Sequence, residues 1–135
     1  MKDALTGTTK IRVRYQETDA MGVVYYANYL TWFEVARTEH LRTLGIIYTE
    51  LEKKGYRLMV ASVSCRYLCP ARYDEEVTLE TRITNIGRTS MKFEYEFFTG
   101  EKLITTGESV HVFTDISGKP VRMPEEISNL TADAA

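Results

Sequence analysis

Apolar and polar residues alternate with a period of two over three long stretches of this 135-residue chain. Met59, Ala61, Val63, Cys65, Tyr67 and Cys69 alternate with Ser62, Ser64 and Arg66. Val77, Leu79, Thr81 and Ile83 alternate with Thr78, Glu80, Arg82 and Thr84, and Met91, Phe93, Tyr95 and Phe97 with Lys92, Glu94 and Glu96. A period of two sends successive side chains to opposite faces, so each stretch reads as a strand. Pro70 has no N–H to give to a ladder and ends the first of them. Gly87 and Gly100 mark the turns around the third. A last run, Leu103 to Thr114, is also read as a strand; its alternation is mixed and assigns no buried face. Near the N-terminus, Ile11 to Tyr15 reads as a further strand.

Between that first strand and the others the period changes. Tyr29, Leu30, Phe33, Ala36 and Leu44 share one helical face. They predict a helix that opens near Tyr26 to Asn28 and runs to about Leu44, with Gly45 as its cap. His40 falls within the apolar stripe and is read as packing. Glu34–Arg37 and Glu39–Arg42 are i,i+3 pairs that support the helix modestly. A shorter helix is predicted from Ile47 to Lys54, stopped by Gly55, and Thr131 to Ala135 is read as frayed. Consecutive strands joined at glycine turns favour antiparallel pairing. Runs near ten residues exceed the usual strand of about five or six, as strands curved over a helix would. The expectation is one α+β domain over residues 1–135, an antiparallel sheet of about five strands around one long helix.

Composition narrows the function classes. A length of 135 residues suits one core, and 44% hydrophobic residues is ordinary for a globular domain. The formal net charge is −2 with no block of like charges, which argues against a nucleic-acid partner or an anionic membrane surface. The first residues form no apolar signal segment, and no run reaches the roughly 18 apolar residues of a membrane span. A cytoplasmic location is therefore expected. Cys65 and Cys69, four apart on a strand, lie roughly 13 Å apart at about 3.3 Å per residue, too far to bridge. With two cysteines and two histidines, His40 and His111, no metal site is expected. No Walker loop and no GxGxxG is present, so no nucleotide cofactor is implied.

The chemistry concentrates in Tyr15-Gln16-Glu17-Thr18-Asp19-Ala20-Met21-Gly22-Val23-Val24-Tyr25-Tyr26-Ala27-Asn28-Tyr29. It puts one acid, Asp19, in a turn just before the long helix. A helix N-terminus leaves backbone N–H groups unpaired and carries the positive end of the dipole. A carboxylate beside free donors suits acyl transfer, with one group attacking or activating water and the donors holding the oxyanion. The alternative for Asp19 is an Asx-turn or N-cap residue. Glu17 is read as a surface carboxylate. Tyr15 is read as lining the site or as a strand aromatic. Gly22 permits a tight turn and close approach of a ligand to the backbone. Arg88-Thr89-Ser90 suits phosphate, since Arg binds it as a fork and hydroxyls donate to it, with Arg66 and Arg72 as further candidates. The other reading of Arg88 to Ser90 is a polar strand start.

Asp19, Gly22, Val23, Val24, Tyr25, Tyr26, Asn28 and Tyr29, followed by Trp32-Phe33-Glu34-Val35-Ala36-Arg37-Thr38-Glu39, resemble the 4-hydroxybenzoyl-CoA thioesterase family of hot-dog fold. The resemblance extends more weakly over Cys65 to Asp74, Gly87 to Ser90 and Met123 to Ile127. It implies hydrolysis of an acyl-CoA thioester, with coenzyme A as part of the substrate and no cofactor. It implies Asp19 as general base or nucleophile and the backbone N–H of Tyr26 as oxyanion donor. Tyr15, Gly22, Val23, Arg88, Thr89 and Ser90 become the expected substrate-binding residues. It further implies a homo-oligomer, dimer or tetramer, with sheets joined edge to edge and sites shared between subunits. The chain carries Tyr26 where some bacterial relatives, the Tol-Pal-associated branch among them, carry His. It lacks the Gly-rich motif of a second thioesterase branch, and no His follows Asp19 as in the hydratases. Two non-catalytic readings stand beside the enzyme: an acyl-CoA or acyl-carrier-protein binding module, and an interaction protein that kept the fold.

Overall fold

The computed structural model describes residues 5–134, with side chains as far as Leu130. Five strands form one antiparallel sheet: β1 (Thr6–Arg12), β2 (Arg57–Tyr67), β3 (Glu76–Ile86), β4 (Ser90–Thr99) and β5 (Lys102–Thr114). Their spatial order is β1-β3-β4-β5-β2. Helix α1 (Asn28–Thr43) lies across one face of the sheet, α2 (Tyr48–Lys53) follows it, and α3 (Glu125–Ala134) closes the described chain. A curved antiparallel sheet with α1 on its inner face is the expected architecture.

The inward residues of β3 and β4 are those the alternation selects. Val77, Leu79, Thr81, Ile83, Met91, Phe93, Tyr95 and Phe97 are all buried. Phe33 of α1 stacks on Tyr95 with ring centroids 4.1 Å apart, and Trp32 meets Phe97 at 6.4 Å. Burying a side chain of this size contributes about 1.5–3 kcal/mol, so these contacts anchor the helix. Gly107 on β5 makes the close approach possible. A methyl group there would lie 2.7 Å from the Ser64 carbonyl oxygen and collide with the Phe33 ring. At the far end of α1, His40 packs tightly over Gly7 of β1, as its place in the stripe predicts. The helix ends in a Schellman cap, with the Ile46 N–H on the Leu41 carbonyl (2.9 Å) and the Gly45 N–H on that of Arg42 (3.0 Å). Glu39 and Arg42 pair at 3.3 Å, whereas Arg37 turns inward and donates to the Tyr95 hydroxyl at 3.5 Å.

Several boundaries differ from the sequence reading. The first strand is Thr6–Arg12, not Ile11 to Tyr15. Its threonine-rich half lacks apolar alternation but pairs with β3, Thr6 opposite Arg82 and Arg12 opposite Glu76. Tyr15 is therefore not a strand residue; it opens a short 3-10 turn, Tyr15–Glu17, and is exposed. Helix α3 has no counterpart in the sequence reading, and of the Thr131–Ala135 segment expected to fray, Thr131–Ala134 form its last turn while Ala135 lies outside the described residues. The alternation along β2 does not mark a face buried within this chain. Met59, Val60, Val63 and Tyr67 are all exposed, and the register with β5 shifts between Val60 and Ser62. β2 is the outer strand at the end of the sheet, so one side of it has no strand neighbour among the described residues. Cys65 and Cys69 are free thiols.

Candidate active site

The loop from Val13 to Ala27 joins β1 to α1, and its path is fixed by backbone pairing. The Val13 N–H bonds to the Glu75 carbonyl (2.9 Å) and the Val24 N–H to the Ala71 carbonyl (2.9 Å), which lay the loop against the turn before β3. Thr18 bridges Val24, and the Asp19 N–H reaches the Val23 carbonyl at 2.9 Å. Inside this small hairpin Gly22 has φ 78°, a left-handed conformation that favours glycine. Asp19 sits at its mouth. Its Oδ1 accepts the Met21 N–H at 2.9 Å, an Asx-turn, while Oδ2 makes no hydrogen bond among the described residues. The turn reading of Asp19 and a chemical role for its second oxygen are thus compatible. Val23 is half-buried beside it.

The start of α1 carries no capping side chain. Its N-cap is Ala27, and the Asn28, Tyr29 and Leu30 N–H groups bond back to the Tyr25, Tyr26 and Ala27 carbonyls at 3.0, 3.3 and 3.2 Å. The backbone N–H groups of Tyr26 and Ala27 make no hydrogen bond among the described residues. They lie at the positive end of the helix dipole, seven and eight positions after Asp19. The Tyr26 hydroxyl beside it pushes the Tyr25 phenol up, and the Asp19 carboxylate adds a smaller push in the same direction.

Two residues that the sequence reading did not single out frame this arrangement. The Tyr67 hydroxyl of β2 donates to the Tyr26 carbonyl at 3.0 Å, and its ring meets Tyr29 at 5.1 Å. Glu17 is not a surface carboxylate: it is only 5% exposed. Its Oε1 accepts the Arg14 N–H at 2.7 Å and its Oε2 accepts the Trp32 indole N–H at 2.9 Å. Burial pushes the Glu17 carboxyl up, but these two hydrogen bonds and the Arg14 guanidinium outweigh it and hold the group below the usual carboxylate range. No local pattern separates Glu17 from an exposed acid, because its donors come from the preceding turn and from α1, fifteen residues on.

Tyr15 lies beside the site but packs outward, edge-on to Tyr73 at 5.5 Å. Arg88, Thr89 and Ser90 lie elsewhere. Arg12 pairs with Glu76 at the beginning of β3, whereas Arg88 follows the end of that strand. The strand has eleven residues, so its ends lie ten steps apart, roughly 33 Å at about 3.3 Å per step. One chain therefore does not bring Asp19 and Arg88 together. Arg72, next to Ala71 in the turn that holds Val24, is exposed and nearer. Among the described residues no helix is long and apolar enough to cross a membrane.

A family model described as the thioesterase-like superfamily matches residues 13–130. The chain belongs to that superfamily. It is 34% identical over 119 residues to the acyl-CoA thioesterase YbgC of Haemophilus influenzae, spanning 87% of this chain and 88% of that one. It is equally 34% identical over 119 residues to the acyl-CoA thioester hydrolase YbgC of Escherichia coli O157:H7, spanning 87% and 89%. Among solved structures, the DHNA-CoA thioesterase of Staphylococcus aureus superposes with a TM-score of 0.89 at 34% identity, covering 94% of this chain and 91% of that one. This member of the superfamily has the hot-dog fold that the Asp19 segment implied.

Proposed function

We propose that this acyl-CoA thioesterase works with Asp19 as its base or nucleophile and the Tyr26 backbone N–H as its oxyanion donor. The observation that supports the reading is the uncapped start of α1. Among the described residues the Tyr26 and Ala27 N–H groups are unpaired, and the carboxylate seven positions before Tyr26 keeps its second oxygen unengaged. With Asp19 as base, water attacks the thioester carbon and gives its proton to Oδ2. The oxyanion is held at the Tyr26 N–H, and its collapse breaks the C–S bond and releases coenzyme A. With Asp19 as nucleophile, Oδ2 attacks the carbon itself and water then opens the mixed anhydride. In both routes the backbone donor stabilises charge that develops in the transition state, worth roughly 10²–10³ in rate for one donor. Thiol release from a panel of acyl-CoAs tests the activity. The panel carries aromatic, branched and medium-chain groups, 1,4-dihydroxy-2-naphthoyl-CoA first because of the Staphylococcus aureus relative. Binding of every member without thiol release would instead favour the carrier reading.

The Tyr26 side chain is 61% exposed and makes no hydrogen bond that sets its backbone. Tyr26→Phe is therefore expected to keep most of the kcat. A loss as severe as that of an Asp19 variant would assign the hydroxyl, not the backbone, to the chemistry.

The working unit is proposed to be at least a dimer, with tetramers of two dimers as its extension. β2 presents an unpaired edge along eleven residues with apolar side chains on it, a surface that natural sheets cover. Antiparallel pairing of two β2 edges is closed by a two-fold axis. Arg57 pairs with Thr114 at the Arg88 end of the sheet, and Tyr67 lies at the other end, on the Tyr26 carbonyl of the Asp19 loop. The two-fold pairing thus turns the Asp19 end of one chain toward the Arg88 end of the other. Mixing Asp19→Asn subunits with Arg88→Ala subunits is expected to restore part of the activity that either lacks alone. Light scattering that finds an active 15.5 kDa monomer would overturn the shared site.

A further inference from the structure

Glu17 engages every polar atom it owns. Its N–H donates to the Arg14 carbonyl (3.0 Å), and its carbonyl accepts both the Tyr25 N–H (2.8 Å) and the Asn28 side-chain amide (2.8 Å). Its two carboxylate oxygens take the Arg14 N–H and the Trp32 indole N–H, with the Arg14 guanidinium 3.5 Å away. Arg14 lies before the Asp19 hairpin, Tyr25 after it, and Asn28 and Trp32 on the first turns of α1. The indole that holds Oε2 is itself fixed in the core, 2% exposed and packed against Tyr29 and Phe97. Glu17 is thus the point at which the loop bearing both Asp19 and the open Tyr26 N–H is joined to the first turns of α1. A surface acid placed for solubility would not have all its acceptors filled by inward donors.

We propose that Glu17 is a positioning residue for thioester hydrolysis: its carboxylate and carbonyl, clamped to Trp32, Asn28 and Tyr25, set the distance between the Asp19 carboxylate and the oxyanion donor. The proposal rests on the roles given above to Asp19 and Tyr26. Glu17 is buried behind the loop, so it does not touch substrate. Its effect is to keep two groups seven positions apart on one loop in register, by tying that loop to itself at Tyr25 and to α1 at Asn28 and Trp32. A displacement near 1 Å between attacking group and oxyanion donor can cost about 10²-fold in rate. Substrate affinity, which is made largely by groups outside this pair, is left alone.

In Glu17→Gln the amide can satisfy one of the two facing N–H donors but turns a hydrogen of its own toward the other. The variant is expected to fold, with an unchanged oligomeric state and a cooperative melt. Its kcat is expected to drop roughly 10- to 10²-fold while KM stays within about threefold. Asn28→Ala removes only the donor to the Glu17 carbonyl. It should lower kcat in the same direction by a smaller factor, and it carries the test if Glu17→Gln fails to fold. A folded Glu17→Gln enzyme with the parent kcat overturns the proposal, as does a parent kcat in Asn28→Ala when Glu17→Gln cannot be made. A purely structural role would lower the melting temperature and leave kcat in place. Asp19→Asn assayed alongside separates the two levels. Full activity there removes the underlying reading, whereas an inactive Asp19→Asn with an unaffected Glu17→Gln removes only the role of Glu17.

Discussion

Asp19→Asn is expected to lower kcat by at least about 10²-fold, within the range of general-base loss, while the protein stays folded and continues to bind acyl-CoA. The structure gives a reason to separate these effects. Asp19 Oδ1 accepts the Met21 N–H at 2.9 Å, and an asparagine oxygen accepts the same bond in the same Asx-turn. Gly22 keeps its left-handed turn, and the Asp19 N–H keeps its bond to Val23. What changes is Oδ2, which becomes an amide nitrogen with neither a negative charge nor basicity. Thiol release under saturating substrate measures kcat, and titration with the acyl-CoA reports binding. An unchanged kcat would sink the assignment of Asp19. A parallel loss of binding would mean that the carboxylate holds the loop rather than the chemistry.

The strands with one buried face were legible because burial writes the period of two. Met91, Phe93, Tyr95 and Phe97 of β4 point inward while Glu94 and Glu96 stay exposed. β5 read as mixed for a physical reason. Its inward positions include the polar residues Thr105, Ser109 and His111, of which Ser109 and His111 are held inside by a hydrogen-bonded chain to Tyr95 rather than by hydrophobicity. β2 misleads in the opposite sense. Its alternation is real, but neither face is buried within this chain, as expected of an edge that the proposed dimer would cover. β1 was placed too late because Thr6 to Thr9 are defined by pairing with β3, a long-range fact that a local pattern does not hold. The candidate site shows the same division. Asp19, Gly22 and the helix start are local in sequence and were visible. Glu17 and Tyr67 act through Trp32 and the Tyr26 carbonyl, contacts spanning fifteen and forty-one positions, and local reading assigned them no role.

The buried chain under α1 makes stability depend on pH. His111 is fully buried, its Nε2 lies 2.7 Å from the Ser109 hydroxyl, and that hydroxyl lies 2.6 Å from the Tyr95 hydroxyl. Its Nδ1 has no hydrogen-bond partner among the described residues. Arg37 comes down from α1 to Tyr95, and the Phe93 ring stands edge-on to the imidazole. Burial first, and then the Arg37 guanidinium, pull the His111 pKa down from 6.5 to about 4. The unfolded chain therefore binds the proton more readily than the native one. The stability of the neutral imidazole is present in full above about pH 6.5 and is lost as pH falls from there toward 4. Between pH 7.5 and 5.0 the expected loss is about 2 kcal/mol, taking 1.36 kcal/mol per pKa unit. This window lies above the ordinary carboxylate range, and Glu17, held low by its donors, adds its own loss only at lower pH. Urea denaturation at the two pH values, at one protein concentration, measures the difference. In His111→Gln, whose amide still reaches the Ser109 hydroxyl but does not titrate, the midpoint should be lower at pH 7.5 and nearly unchanged at pH 5.0. An equally large acid loss in that variant would place the titrating group elsewhere in the molecule.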